Sequence, residues 1–338
     1  MSPLLDPAIL FFALGLAAGV LRSNLEVPAA VSRMLSLVLL MAIGLKGGFA
    51  LARSGLTPEV VAALGCALLL ALAVPLLAWT VLRRLVAPFD ALGLAASYGS
   101  VSAVTFVTAM HMLEQQGTPA GAHLAAAMAL MEAPAIVLAL ALAGALRART
   151  AGLSIGGGGA GVATLGGGGG GGGASAAAGA LRQALTEGGT VVLVGALLIG
   201  WLAGEPGARS MALLTGDLFK VLLAVFLLDM GLVTARQLPA LRGVPAALLA
   251  WALAAPLVHA ALALGLARAA GLSAPDATVL MVLGASASYI AVPAVLRHAL
   301  PEARPALYIG LALGLTFPFN LIVGIPLYTS AANALAGA

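Results

Sequence analysis

Long apolar segments recur along the whole chain, separated by short polar or proline-containing stretches. A helix that crosses a bilayer needs about 20 mostly apolar residues, whereas a membrane β-strand alternates apolar and polar residues over about ten positions. The segments here are long and do not alternate, so they predict helices. The ten candidate spans are residues 5–21, 28–46, 58–82, 90–112, 120–146, 188–204, 211–232, 244–268, 276–297 and 305–328.

The composition excludes a water-soluble protein. Apolar residues make up 62% of the chain and charged residues 8%, against roughly 45–50% and 25% in soluble domains. So few polar side chains cannot cover a soluble surface. We therefore expect an all-α, polytopic membrane protein, which excludes a soluble enzyme, a nucleic-acid-binding protein and a disordered chain. The net charge of +4 is then explained by basic loops beside the membrane.

Basic residues divide unequally between the two sets of loops. One set carries ten arginines and the other carries three. Because positively charged loops stay in the cytoplasm, the larger set is predicted to be cytoplasmic and both termini to face outward. The larger set is Arg22, Arg83, Arg84, Arg147, Arg149, Arg182, Arg236, Arg242, Arg297 and Arg304, and the smaller set is Arg53, Arg209 and Arg268.

A glycine-rich segment, residues 150–185, separates residues 1–149 from residues 186–338. It contains four consecutive glycines at 156–159 and eight at 166–173. Such a tract is typical of a flexible linker. The Gly-Lys-Ser/Thr of a phosphate-binding loop does not follow it. We predict two five-helix repeats joined by a cytoplasmic linker.

The two halves resemble each other at a nearly constant offset of 186 to 187 residues. Residues 99–104 align with residues 285–290, and Gly44 aligns with Gly231. Five spans in each half would invert the second half relative to the first. Inverted repeats with interrupted helices are typical of secondary transporters, whose binding sites lie near the membrane midplane. The interruptions are predicted in spans four and nine, where glycine, serine and alanine cluster.

Hydroxyl side chains occur at both predicted interruptions. The N-terminal ends of half-helices favour anions, and hydroxyl groups can donate to an anion or coordinate sodium. Small residues are also common where membrane helices pack closely, which is the alternative interpretation. The candidate substrate ligands are Ser100, Ser102, Thr105, Ser286 and Ser288, with Thr316 and Asn320 as weaker candidates.

Charged residues inside or at the ends of predicted spans are costly and therefore typical of functional sites. Glu132, two residues before Pro134, is the first candidate for a sodium- or proton-linked carboxylate. For Lys46 and Asp229 three hypotheses remain: they form an ion pair, each lines the vestibule between domains, or Lys46 only extends outward to the membrane surface. The candidate ion ligands are Ser102, Thr105, Ser288 and Glu132.

The sequence contains no transition-metal motif and no nucleophile–base pair. We therefore predict no enzyme, and no cofactor beyond a coupling sodium ion. Cys66, the single cysteine, is interpreted as a small core residue.

Several longer segments carry a family resemblance. They are IGLKGGFALARSG at 43–55, SYGSVSAVTF at 97–106, MLEQQGTPAG at 112–121, MEAPAIV at 131–137, MGLVTARQL at 230–238, PAVLRHALPEARPALYIG at 293–310 and VGIPLY at 323–328. In these segments the chain resembles the sodium-dependent bicarbonate transporter family, first known from cyanobacteria. The resemblance extends over nearly the whole chain except the linker.

The resemblance implies ten helices in two inverted repeats, arranged as a gate domain and a core domain. Helices four and nine would be broken and would cross in the core, and bicarbonate and sodium would bind near the crossing. It further implies a multi-pass protein of the bacterial inner membrane, a homotrimer, and possible inhibition by a cytosolic PII-like protein.

Both broken helices depart from the family pattern: in the second, two serines are alanine and the acidic residue is Tyr289, and in the first, SGST is Ser102-Ala103-Val104-Thr105. The cyanobacterial transporters carry a serine run followed by an aspartate, SSSSDISGPP, where this chain has Tyr289. A phenol carries no charge at neutral pH, so Tyr289 is a candidate hydrogen-bond donor to the anion or a wall of a wider site. The expected function is sodium-coupled symport of bicarbonate. The alternatives are a sodium- or proton-coupled transporter of another small monocarboxylate or oxyanion, and a membrane receptor or regulator that transports nothing.

Overall fold

The computed structural model describes residues 6–155, 182, 186 and 188–336, and helix is the only regular secondary structure within them. Eight helical segments in this part of the chain are long and apolar enough to cross a membrane. Two further apolar helices, Pro7–Val20 and Ala274–Ala285, are shorter. The glycine tracts of the predicted linker lie outside the described residues.

The helices are α1 (Pro7–Val20), α2 (Ala29–Ser54), α3 (Pro58–Leu82), α4 (Pro88–Gly99), α5 (Ala103–Gln115), α6 (Leu124–Glu132), α7 (Pro134–Ile155), α8 (Gly188–Ser210), α9 (Asp217–Gln237), α10 (Ala246–Ala269), α11 (Ala274–Ala285) and α12 (Ala291–Ala299). The last helix, α13, consists of Pro305–Leu311, the π-helical stretch Ala312–Thr316, Phe317–Phe319, the π-helical stretch Asn320–Gly324, and Ile325–Ala336. A one-turn helix, Ala212–Thr215, precedes α9, and the 3₁₀ turn Leu238–Leu241 follows it.

Local sequence signals explain where several helices begin. The side chain of Asp6 accepts a hydrogen bond from the Ala8 amide at 2.8 Å, and Thr57 accepts one from Val60 at 3.3 Å. Ser273 caps α11 in the same way. These side chains satisfy amide groups that have no acceptor within the first helical turn.

Glycines allow the first two helices to pack closely on helices of the second half. In α1, a Cβ on Gly15 would overlap the Leu228 carbonyl of α9, and a Cβ on Gly231 would overlap the Phe12 carbonyl. In α2, a Cβ on Gly44 would lie 2.5 Å from the Leu193 carbonyl of α8. Small residues permit such backbone contact between membrane helices. As a result, α1 packs along α9 and α2 along α8, and we call these four the first helix group.

The remaining helices form a second helix group. Helix α3 packs on α4 and α6, α4 packs on α7, and α11 packs on α10 and on the end of α13. Helices α4 and α11 are buried along nearly their whole length. They therefore lie at the centre of this group.

The boundaries differ from the predicted spans at several places. Spans four and nine are interrupted as predicted, but predicted span five is also two helices, and α7 continues to Ile155, into the predicted linker. Helix α8 continues to Ser210 through a kink at Gly204, whose φ is 53°. Helix α9 begins at Asp217, later than predicted, because Gly216 is not helical. Hydropathy alone does not detect breaks at residues that are themselves small and apolar.

Candidate functional site: two helix breaks at one cavity

The breaks in predicted spans four and nine occur at the serine clusters. Helix α4 ends at Gly99 and α5 begins at Ala103, while Ser100 and Ser102 are in extended conformation. Helix α11 ends at Ala285 and α12 begins at Ala291. Each break therefore exposes the N-terminal end of a half-helix, which carries free amide groups and a partial positive charge.

The two breaks bind each other directly. The Ser97 hydroxyl donates to the Ser288 carbonyl at 2.6 Å, and the Ser288 amide donates to the Ser97 carbonyl at 2.7 Å. The Ser102 amide donates to the Ser286 hydroxyl at 3.0 Å. Polar backbone groups inside a membrane need such partners.

Serines at equivalent positions cap both half-helices. The Ser102 hydroxyl accepts hydrogen bonds from the Thr105 amide at 3.2 Å and from the Thr105 hydroxyl at 2.9 Å. The Ser288 hydroxyl accepts one from the Val292 amide at 3.3 Å. Ser102 and Ser288 are 186 residues apart, which is the offset of the sequence repeat.

Both breaks border one cavity of about 630 Å³, which we call the large cavity. Its wall is completed by α2 and α9 of the first helix group. The predicted site residues that line it are Ser102, Ser288, Tyr289, Glu132 and Asp229.

Three other predicted ligands are not among the described residues that line the large cavity: Ser100, Thr105 and Ser286. They hydrogen-bond to the residues behind it: Ser100 donates to the Glu132 carbonyl at 3.1 Å, and Ser286 donates to the Leu283 carbonyl at 2.9 Å. Their hydroxyl groups stabilise the conformation of the breaks.

Glu132, at the end of α6, brings a carboxylate to the cavity wall. Its Oε2 accepts a hydrogen bond from the Thr190 hydroxyl at 2.6 Å, and only 8% of the residue is exposed. Thr190 belongs to α8, so this contact joins the two helix groups. The sequence analysis did not identify Thr190, because an isolated threonine at the start of a span has no distinctive pattern.

Tyr289 lies at the meeting point of the breaks. Its phenol oxygen accepts a hydrogen bond from the Ser102 hydroxyl at 3.3 Å, and its ring packs edge-on against Phe317 with centroids 5.3 Å apart. It also lines the large cavity. The phenol therefore contacts the serine of the first break and borders the large cavity.

Three arginines also line the large cavity: Arg33, Arg236 and Arg297. All three are exposed, and none is within ion-pair distance of a carboxylate among the described residues. In the sequence, Arg236 and Arg297 indicate only the orientation of the chain, and Arg33 belongs to neither set of loops. Only the folded chain brings them to one opening.

Thr316 and Asn320, the weaker candidates, contact the half-helices instead of the cavity. The Asn320 amide donates to the Ala285 carbonyl at the end of α11 at 2.8 Å. Thr316 shares a hydrogen bond of 2.6 Å with the Tyr98 phenol of α4. Both residues fasten α13 to the broken helices.

A second, smaller cavity of about 400 Å³ lies between α2, α5, α6 and α9, and we call it the small cavity. Lys46 lines it and forms an ion pair with Glu114 at 3.2 Å. Asp229 instead accepts a hydrogen bond from the Ser32 hydroxyl at the large cavity. The hypothesis that Lys46 and Asp229 pair is therefore wrong, because they line different cavities.

The family model for the Na⁺-dependent bicarbonate transporter superfamily matches residues 7–333. The chain belongs to this superfamily. The resemblance seen in the sequence is thereby confirmed, and so is the prediction of a multi-pass membrane transporter and not an enzyme. Comparison with curated proteins gives no match.

Proposed function

We propose that this protein is a sodium-coupled symporter that takes up a small anion, with bicarbonate as the first candidate. One observation carries the proposal: the N-terminal ends of two half-helices meet at one cavity together with two serine hydroxyls and a phenol. Superfamily membership supports the same conclusion.

The anion would lie between the breaks. The amide groups in the first turns of α5 and α12 supply donors and partial positive charge. Ser102, Ser288 and Tyr289 can donate further hydrogen bonds. The arginines at the opening would offer positive charge to an entering anion, beside the carboxylates Glu26, Glu132 and Asp229 that line the same cavity.

Sodium would bind beside the anion. It prefers oxygen ligands, and Glu132 offers a carboxylate supported by Thr190. Ser102, Thr105 and Ser288 offer hydroxyl oxygens at the adjacent break. If protons replace sodium as the coupling ion, Glu132 is also the group placed to carry the proton.

The arrangement of the cavities supports ten helices in two inverted repeats. Ile43, Lys46 and Phe49 of the small cavity correspond, at the offset of 187, to Met230, Val233 and Arg236 of the large cavity. Likewise His111 corresponds to Arg297 at the offset of 186. Equivalent surfaces would then line two vestibules on opposite sides of the membrane, as alternating access requires.

We further propose the assembly and orientation that the family resemblance and the basic loops suggest. The protein would be a homotrimer of the bacterial inner membrane, with both termini outside and the linker in the cytoplasm. The large cavity would then open to the cytoplasm, because Arg236 and Arg297 belong to the larger basic set. A PII-like regulator would bind from that side.

Tyr289 supports a second candidate substrate, another small monocarboxylate or oxyanion. An ionised aspartate can accept a hydrogen bond from the hydroxyl of bicarbonate, whereas an uncharged phenol can donate to an anion that has no hydroxyl. The third candidate, a receptor that transports nothing, predicts ligand binding without flux.

Uptake of labelled bicarbonate into proteoliposomes, with and without an inward sodium gradient, tests the proposal. We expect bicarbonate uptake to depend on sodium and to be lost in Glu132→Gln. If the site is wider, formate or acetate should reduce bicarbonate uptake. Glu302→Gln is the matched control, since Glu302 pairs with Arg147 at 2.7 Å outside both cavities. Binding without uptake would favour a receptor, and uptake driven only by a proton gradient would exclude sodium coupling.

A further inference from the structure

Two aspartate–histidine pairs lie on the small-cavity side of the molecule. His111 Nε2 is 3.5 Å from Asp6 Oδ2, and His123 Nε2 is 3.6 Å from Asp276 Oδ2. All four side chains are at most 10% exposed. A protonated histidine carries a positive charge, so each of these contacts is an ion pair when the histidine holds its proton.

The counterpart of the Asp276–His123 pair on the large-cavity side contains arginine. Asp90, 186 residues before Asp276, binds the Arg304 guanidinium at 2.8 Å. Asp90 also accepts from the Arg304 amide at 2.9 Å, as Asp276 does from the Gly121 amide at 2.6 Å. Arginine stays charged at every physiological pH. Sensitivity to pH through these contacts therefore belongs to the small-cavity side alone.

The two histidine pairs differ in what they join. Asp276 and His123 both belong to the second helix group, near the start of α11 and of α6. Asp6 is the N-cap of α1 in the first helix group, whereas His111 lies on α5. Only the Asp6–His111 pair would have to separate if the two groups moved apart at the small cavity.

The charged groups around His111 leave Asp6 as its partner. Lys46 of α2 and Glu114 of α5 line the same cavity and neutralise each other at 3.2 Å. Arg53 of α2 is paired with Glu205 of α8 at 3.4 Å. From α9 the cavity receives Phe219, and the nearby Asp217 and Lys220 pair with each other at 3.2 Å.

We propose that Asp6 and His111 form a proton-operated latch that holds the small cavity closed. Protonation of His111 creates an ion pair between the two helix groups, and loss of the proton leaves a weaker contact. Acid on that side then favours the state in which the large cavity is open. The latch rests on the proposed alternation between the two cavities.

Thiol accessibility tests the latch. In a Cys66→Ala background, Ile43→Cys reports on the small cavity and Val233→Cys reports on the equivalent wall of the large cavity. The ratio of the two labelling rates in purified protein cancels the effect of pH on thiol reactivity. Lowering the pH from about 7.5 to about 5.5 should shift the ratio about five-fold toward Val233→Cys.

The shift should disappear in His111→Gln and in Asp6→Asn, and persist in the matched control His123→Gln. Asp6→Asn keeps the helix cap and decides the question if His111→Gln does not fold. An unchanged shift in Asp6→Asn, or no shift in the parent protein, overturns the latch. Addition of sodium and bicarbonate separates the two proposals. A labelling ratio that responds to these ions but not to pH contradicts the latch alone. A ratio that responds to pH but not to these ions contradicts the proposed substrates alone.

Discussion

The large and small cavities are lined by equivalent positions of the two halves, yet they differ in depth and in charge pairing. The large cavity reaches both helix breaks, and none of its three arginines is within ion-pair distance of a carboxylate among the described residues. The small cavity contacts neither break within that part of the chain, and the ion pair Lys46–Glu114 crosses it. The large cavity thus carries three arginines without a carboxylate at ion-pair distance, and the small cavity carries an ion pair between its walls.

The difference lies in a few charged positions. Lys46 corresponds to Val233 and Phe49 to Arg236, so the charges have exchanged positions between the two vestibules. An unpaired cation attracts an anion, whereas a paired cation contributes to closure. The residues that distinguish the vestibules are the ones that test the comparison.

The largest effect on uptake is expected from substitution of Glu132, the proposed sodium ligand in the wall of the large cavity. Glu132→Gln should lower sodium-dependent uptake about ten- to hundred-fold, since an interaction with a charged group contributes ~1.5–3 kcal/mol. The sodium dependence of uptake, measured beside Glu302→Gln, checks this. Normal sodium dependence in Glu132→Gln would place the coupling ion elsewhere.

A smaller effect is expected at the basic opening. Arg297→Gln should raise the concentration of anion needed on the large-cavity side about three- to ten-fold at low ionic strength, and the effect should shrink in salt. Arg268→Gln is the control, because Arg268 lines neither cavity. If both variants behave alike, the opening does not attract the substrate.

Substitutions of Tyr289 test whether its phenol contributes to anion binding where the large cavity meets the breaks. Tyr289→Phe removes one hydrogen-bonding hydroxyl and should weaken anion binding about five-fold, since such a bond contributes ~1 kcal/mol. Tyr289→Asp should increase sodium dependence, because it restores a carboxylate beside the site. Binding of bicarbonate and of acetate measures both, and two variants that match the parent protein for every anion would remove Tyr289 from the site.

The smallest effect is expected at the small cavity. Lys46→Met breaks the pair with Glu114, but the two side chains are 29% and 50% exposed, so solvent screens them. The labelling ratio of Ile43→Cys to Val233→Cys should rise only about two-fold. Lys220→Met, which breaks an exposed pair outside this cavity, should leave the ratio unchanged. A fall in the ratio for Lys46→Met would mean that the pair opens the cavity.

Much of the helix order could be predicted because bilayer thickness dictates the length of apolar segments. The two breaks could also be predicted, since glycine and serine clusters interrupt apolar spans at matched positions in both halves. The divided helix at Ala133, which separates α6 from α7, was missed because hydropathy continues across it.

The site could be predicted only in part. The serine and tyrosine residues of the breaks lie within two short segments of the sequence, and the alignment of the two halves identifies both segments. Thr190, Arg33 and Arg297 come from helices far apart in the chain, and no local pattern brings them together. Their meeting depends on how α2, α8 and α12 pack around the breaks.

The sequence by itself determined the membrane environment, the helical class and the position of the weak points in two helices, because these follow from local hydropathy and backbone preference. Only the tertiary structure decided which charges become partners. Lys46 pairs with Glu114 and Asp229 with Ser32, although Lys46 and Asp229 occupy similar places along their helices. An ion pair depends on a few ångströms of distance, and that distance is set by the packing of helices that are remote in sequence.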